Sequence, residues 1–370
     1  MIDIVLGTAF GDEGKGQCVH SLATSDSLVI RFSGGHQCGH TAVTEQGLRH
    51  IFSQFGAGTF RGAATYLSEY CTVFPTAFFN EFEALQSLNI EFPDFYLHPL
   101  AMVTTPYDLA FNRALSMITG HGTCGVGFGT TLQRNEDFYH LYVNDLLNPY
   151  MTDTKMSMIR RYYDEKVRSL NISSRITYEN ELETAMNQWN ESLSFFSGFV
   201  KVKKLSDIEH RFEHYIFEGS QGILLDQHFG FFPHVTRSNT TSINALEMIR
   251  KSPVLSKEVI STYYVSRCYQ TRHGNGPFPD TETVELVNLH TESNHENDWQ
   301  GIFRIARLDF GLLQHALNCD IIQNDMGRKI LIVTCLDQLK ESELFMQEFH
   351  QSRIEQLFDE VHFKDRPDWE

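Results

Sequence analysis

Short apolar runs that end in polar, glycine-punctuated loops recur along this chain and set out its plan. Ile2 to Leu6, Leu28 to Phe32, the run opening at Tyr215, Val259 to Val265 and the run opening at Lys329 carry the continuous apolar, β-branched pattern of buried strands. Each leads into a loop rich in glycine, hydroxyls, amides or charge, and in open α/β sheets such loops at strand ends are where ligands bind. Helical periodicity is predicted over Pro106 to Thr119, where Pro stands in the first turn and Leu109, Ala110, Arg113, Ala114 and Met117 share a face. Lys155 to Leu170 and Glu179 to Leu193 read as polar helices forming a solvated cap over the sheet, and Phe310 to Leu317 and Glu341 to Phe358 complete the helical set. Asn288 to Asp298, rich in Asn, His and Glu, reads as an exposed loop.

The first loop carries the strongest chemistry. Gly7, Gly11, Gly14 and Gly16 surround Asp12, Glu13 and Lys15, a strand, anion cradle and helix start in which backbone N–H groups approach phosphate oxygens wherever Cβ is absent. It is not a Walker A motif, which would need Gly at Ala9 and a hydroxyl at Gly16. A tight strand-to-helix turn alone would explain the glycines but not the two carboxylates, which are costly beside a bound anion unless a cation or a proton transfer uses them. The second loop, Ser33 to Thr41, holds His36 and His40; Phe232 to Thr241 clusters hydroxyls and amides suited to phosphate; Thr271 to Pro279 is stiffened by glycine and proline.

A formal net charge of −17 over 370 residues makes nucleic-acid wrapping an unsuitable role, so a phosphate ligand must be held by local positive groups. No apolar run approaches the ~20 residues that span a bilayer, and no basic start followed by an apolar core opens the chain. Seven cysteines, odd in number and without Cys-x2-Cys spacing, fit reduced thiols. A cytoplasmic protein with neither membrane nor nucleic-acid partner is expected. His36, Cys38 and His40 are too tightly spaced for a persuasive zinc site. Motifs that would share one site run from residue 12 to 337, so a single domain spanning 1–370 is expected, with a helical cap insertion at about 150–200 and a short nucleotide-binding part at 329–370.

Six motifs in order resemble the adenylosuccinate synthetases: Gly11-Asp-Glu-Gly-Lys-Gly16, Gly34 to Thr41, Phe217 to Gly222, Pro233 to Thr241, Thr271 to Pro279 and Leu336-Asp337. The resemblance implies an α/β fold related to the P-loop NTPases, with a large, mostly parallel central sheet, helices on both faces and helical insertions. It also implies a carbon–nitrogen ligase: GTP phosphorylates the 6-oxygen of IMP, and L-aspartate displaces that phosphate to give adenylosuccinate. Asp12 matches the general base that makes the 6-oxygen nucleophilic, and His40 the donor to the β-phosphate side. Lys15 supplies a point charge, and Gln221 a hydrogen bond to the purine oxygen. Gly11, Glu13, Gly14, Gly16, Gln37, Thr123, Cys124 and Arg272 fall at nucleotide-binding positions, Thr236 at the 5′-phosphate, and Asp337 at a guanine, whose N–H groups suit a carboxylate acceptor. Arg304 and Thr271 match the amino-acid site, and Mg²⁺ is implied on the Asp12 carboxylate and the Gly39 carbonyl. A homodimer follows from the resemblance alone.

The departures are specific. Thr123-Cys-Gly-Val-Gly-Phe-Gly129 has Cys124 and Val126 where the family has Thr and Arg, and Gln37 replaces an Asn. The arginine that the family sends across its dimer falls near Phe138, with Arg134 the nearby substitute. Of the aspartate-binding arginines only Arg304 aligns, and Arg307 stands at the family's Trp. Lys364 and Arg366 occupy the place of the element that lines the guanine pocket, which opens ATP as the triphosphate. A phage branch of the family acts on dGMP but usually lacks the Asp of the first loop, which is present here. A catalytically weakened nucleotide-binding regulator is the alternative of a different class.

Overall fold

Six residues in a row, Ile2–Gly7, are buried, as expected of a central parallel strand covered on both faces. The computed structural model describes residues 1–119, 123–279, 284–287 and 302–366, with the side chains of 118 and 119 left aside. In chain order its main elements are β1 (Ile2–Gly7), α1 (Lys15–Leu22), β2 (Ser27–Arg31), β3 (Ala64–Leu67), α2 (Pro75–Ser87), β4 (Phe95–Leu97), α3 (Pro106–Thr119) and α4 (Phe128–Glu136). There follow α5 (Pro149–Arg168), α6 (Ile172–Phe199), β5 (Lys201–Val202), β6 (His214–Glu218), α7 (Ile243–Lys251), β7 (Ile260–Arg267), α8 (Phe310–Ile321), β8 (Arg328–Thr334), α9 (Ser342–Ser352) and β9 (Glu360–Phe363).

The nine strands form one sheet in the order β9-β8-β7-β1-β6-β2-β3-β4-β5, every pairing parallel. Ile2 stands opposite Tyr215 on one side and Ile260 on the other. Alternation along the strands divides the core. Val5 and Val29 pack with Val19, Phe78, Tyr163 and Trp189 on one face, while Ile4, Leu6, Ile30 and Phe217 pack with Leu246, Leu317 and Phe349 on the other. Helices therefore cover both faces. Because β7, β1, β6 and β2 are adjacent and parallel, their C-terminal ends bring the loops after residues 267, 7, 218 and 31 to one edge of the sheet, the place where such sheets bind ligands.

Helix starts follow their capping residues. Asn148 accepts from Met151 N at 3.2 Å to cap α5, Asn171 accepts from Ser174 N at 2.9 Å to cap α6, and Asp309 accepts from Leu312 N at 2.9 Å to cap α8. The helices α5 and α6 are more than the expected solvated cap: Ile159, Tyr163, Tyr178, Trp189 and Phe196 are buried in the main core, a stripe that the charged positions around it obscure in the sequence. The expected helix at 341–358 is α9 followed by a separate 3-10 turn, Ile354–Leu357, because Arg353 adopts a left-handed conformation, φ 59°. The loop expected at Asn288 to Asp298 lies outside the described residues. No helix among the described residues is long and apolar enough to cross a membrane.

Beneath α4 lies a buried ionic centre. Arg134, fully buried, donates through Nε to Asp108 Oδ1 at 2.8 Å and through Nη2 to Asp108 Oδ2 at 3.2 Å and to the Val103 carbonyl at 2.7 Å. Tyr163 donates to the same carboxylate at 2.7 Å. Arg134 therefore cannot serve as the residue reaching across a dimer that the sequence suggested: every direction its fork points in is occupied inside its own protomer.

Candidate active site

The first loop is shaped by its own acid. Glu13 turns inward, Oε1 accepting from Ala9 N at 3.0 Å and Gly11 N at 2.9 Å and Oε2 accepting from Lys15 Nζ at 2.7 Å. Gly7 is required beneath this pair, since a Cβ there would lie 2.3 Å from Glu13 Oε2 and 2.7 Å from Lys15 Nζ. Pinning the loop this way puts Asp12 in the left-handed region, φ 66°, on the wall of the cleft. Burial raises the Asp12 pKa, assisted by Glu13 and opposed by Arg267, His273 and Lys15; a carboxyl with raised proton affinity is a better base. His273 Nε2 is 3.6 Å from Asp12 Oδ2, and Arg267 Nε donates to the Asp12 carbonyl at 2.5 Å.

His40 opens the strand His40–Val43, which pairs antiparallel with Arg49–Phe52 and packs on α1. Gly16 permits that contact: a Cβ there would meet the Thr41 carbonyl oxygen at 2.6 Å and His40 C at 2.8 Å. Gly16→Ala is thus expected to push the His40 strand off α1, cost about 1–3 kcal/mol in stability and lower turnover more than tenfold (~1.4 kcal/mol in barrier), checked by denaturant titration and steady-state kinetics of one preparation. Unchanged kinetics would mean that the His40 strand is not held by this contact.

The His40 imidazole is buried and its Nδ1 lies 2.5 Å from Glu218 Oε1, while Glu218 Oε2 accepts from Ala57 N at 3.2 Å. Burial lowers the His40 pKa to about 4 despite Glu218. For Glu218 burial is outweighed by His40, Arg31 and the Ala57 N–H, so its pKa is lowered. Among the described residues His40 Nε2 has no partner, and the residue lines the cleft. Glu218 escaped the sequence reading as a functional residue. Its signal was available: a carboxylate at the last position of an apolar strand, β6, directly before the glycine turn.

The cleft has a volume of about 610 Å³, within the ~300–1,000 Å³ of small-molecule sites. It brings together Asp12, Lys15, Gly11, Gly14, Gly16, Gln37, Gly39, His40, Thr123, Cys124, Gln221, Thr236 and Arg272 from six separate stretches of chain. Gln221, held at φ 59°, places its Nε2 3.3 Å from Cys38 Sγ. Glu13, Thr271, Arg304 and Asp337 do not line it. Glu13 serves the loop instead. Asp337 is exposed in the turn Leu336–Gln338 at the end of β8, beside Lys364, whose carbonyl accepts from Leu336 N at 3.2 Å.

Thr271 and Arg304, the residues expected at the amino-acid site, sit on an antiparallel pair, Tyr269–His273 against Phe303–Arg307, whose register sets Arg272 directly opposite Arg304. Like charges so placed repel, and burial with Arg304 lowers the Arg272 pKa to about 10. Arg272 lies 4.3 Å over the Phe10 ring and Arg304 5.0 Å over Phe278. Among the described residues both donate only to carbonyls, with both Nε atoms buried and unpartnered. Arg272, expected at a nucleotide-binding position, thus stands beside Arg304, the one arginine expected at the amino-acid site. Arg307 is turned to Glu341 and Glu348 instead.

Asp12, with its carboxylate, and Gly39, with its backbone carbonyl, both line the cleft. No group of three His, Cys, Asp or Glu able to hold a metal occurs among the described residues. The donor set fits Mg²⁺, which takes one or two carboxylates and completes its shell with phosphate and water.

Residues 4–343 match the family described as adenylosuccinate synthetase. The chain is 30% identical over 298 residues to adenylosuccinate synthetase of Saccharophagus degradans, covering 79% of this chain and 68% of that protein. It is 27% identical over 345 residues to that of Hahella chejuensis, covering 91% and 78%. Among solved structures it resembles fully ligated adenylosuccinate synthetase from Plasmodium falciparum, TM-score 0.64 at 19% identity, covering 90% of this chain and 77% of that one. It also resembles the cyanophage S-2L succinoaminodeoxyadenylate synthetase solved with dGMP and dATP, TM-score 0.68 at 16% identity, covering 99% and 93%. A nine-stranded parallel sheet edged by glycine-rich loops and a family match across most of the chain lead to one conclusion: this protein belongs to the adenylosuccinate synthetase family of carbon–nitrogen ligases.

Proposed function

We propose that the protein ligates L-aspartate to C6 of a purine nucleoside monophosphate, IMP, in two steps driven by a nucleoside triphosphate, GTP or ATP. The observation that carries this reading is the buried, unpartnered His40 Nε2 in the same cleft wall as Asp12, Lys15 and Gln221. A protein that only bound nucleotide would have no use for a proton donor and a base facing one gap.

Asp12 takes the N1 proton of the purine, so that the 6-oxygen becomes nucleophilic, and Gln221 orients that oxygen. Burial disfavours the charged form of His40. A polyphosphate brings negative charge beside Nε2 and favours the imidazolium, which Glu218 stabilises from the other side. His40 then donates to the oxygen leaving with the β-phosphate as the γ-phosphoryl moves to the purine. Mg²⁺ on the Asp12 and Gly39 oxygens would neutralise charge on the transferring phosphates. Arg272 and Arg304 receive the carboxylates of L-aspartate, whose amine attacks C6 and expels phosphate. Asp337 reads the triphosphate base, and Thr236 with Gln37 and Thr123 the monophosphate end.

Phosphate release tests the reading. Purified protein with Mg²⁺ is combined with GTP or ATP, IMP or dGMP, with and without L-aspartate; the dGMP and ATP arms are motivated by the phage enzyme of the same fold. Release that requires both IMP and L-aspartate is expected. Release with dGMP instead moves the substrate to the phage branch, and none under any combination overturns the ligase reading in favour of a nucleotide-binding regulator.

A further inference from the structure

We infer that Arg237 anchors the phosphate group of the purine nucleoside monophosphate within a single protomer, exchanging its contacts on α4 for that phosphate. The inference deepens the reading of the cleft just given and rests on it for the identity of the ligand.

The protein carries a net charge of −17, so a dianionic phosphate needs cations in the cleft wall itself. Four Lys or Arg side chains line it among the described residues: Lys15, Arg237, Arg267 and Arg272. Lys15 is held by Glu13, Arg267 by the Asp12 carbonyl and the Tyr269 hydroxyl, and Arg272 by the Pro277 and His234 carbonyls. These three are fixed at the first loop or the antiparallel pair. Arg237 stands beside Thr236, at the wall shared with Thr123, Cys124 and the first turn of α4.

The contacts of Arg237 are of a kind that can be exchanged. Nη1 donates to Gln133 Oε1 at 3.0 Å and Nη2 to Glu136 Oε2 at 2.5 Å, and the two charged side chains are 40% and 59% exposed. Such a pair contributes little, because water screens it and two long side chains must be held still. A phosphate in the cleft offers a bidentate, charge-assisted partner that gains more. The distance is within reach: Gln133 lies four residues along α4 from the cleft-lining Gly129, about 6 Å at ~1.5 Å per residue. Thr236 and Thr123 line the same cleft, and no acidic side chain lies in the first turn of α4 to compete for the site.

The experiment titrates full-length protein with IMP and dGMP, with inosine and deoxyguanosine, and with GTP and ATP, by calorimetry. Arg237→Ala is expected to weaken monophosphate binding about 10- to 100-fold and to leave nucleoside and triphosphate affinities within about twofold (~0.4 kcal/mol). Glu136→Gln, which frees the arginine, is expected to tighten monophosphate binding. An Arg237→Ala protein that binds monophosphate as wild type does, or loses nucleoside or triphosphate affinity equally, overturns the inference and leaves the ligase reading standing. Wild-type protein that binds no purine monophosphate overturns both.

Discussion

Replacing His40 by Asn is expected to reduce purine-dependent phosphate release by about 10²-fold or more, with nucleotide binding retained. The side chains explain the choice of Asn over Ala. His40 Nδ1 bonds Glu218, a carboxylate buried at 0% exposure, and His40→Ala would leave that charge without its main partner, at a cost of about 1–3 kcal/mol or more. The Asn amide can occupy the Nδ1 position and keep Glu218 satisfied, but offers nothing where Nε2 stood. Folding and chemistry are thereby separated: His40→Asn should unfold near wild type and turn over poorly, whereas His40→Ala should lose both. Asp12→Ala should lose turnover by a similar factor if Asp12 is the base proposed above. Near-wild-type turnover in His40→Asn would remove the imidazole from the mechanism. Loss of binding in step with rate would give it a structural role only.

Arg134→Met is expected to destabilise the protein by about 3–5 kcal/mol, the cost of leaving one half of a buried ion pair alone. Asp108 and Arg134 are both 0% exposed, so neither can turn to water. The carboxylate would keep its bonds from Thr105 N and Oγ1, both 2.7 Å, and from Tyr163, but not its countercharge. The double variant Asp108→Asn/Arg134→Met should recover part of the loss. Denaturant midpoints of the wild type, two single variants and the double variant measure the coupling. Additive single effects would mean that the pair does not act as a unit. Because Arg134 sits on α4, whose first turn lines the cleft, ligand affinity should fall along with stability, unlike in Arg237→Ala, where only affinity changes.

Much of the sheet was legible in the sequence because parallel strands covered on both faces are written as uninterrupted apolar runs: Ile2 to Leu6 and Leu28 to Phe32 needed no long-range information. Helices were harder where the buried stripe is sparse. In α6 the residues Tyr178, Trp189 and Phe196 are spread over many polar positions, and the short α4 and α7 lie largely in stretches to which the sequence pattern assigned no element. In the cleft, glycine spacing announced the first loop, but not what its second carboxylate does. Asp12 and Glu13 are neighbours in sequence and opposite in role, one facing the cleft and the other stapling the loop.

By itself, then, the sequence determined the alternation of buried strands and polar loops and the set of acids, amides and glycines carried on them, since these follow from local pattern and from the conformations that only glycine adopts easily. Only the tertiary structure decided partnership. Glu218 meets His40 across 178 positions of chain, Arg272 faces Arg304 because of strand register, and Arg134 goes to the core while Arg237 goes to the cleft. Each of these depends on which groups folding removes from water together, because a buried charge is tolerated only beside another group that answers it, and that condition is set by distance in space, not along the chain.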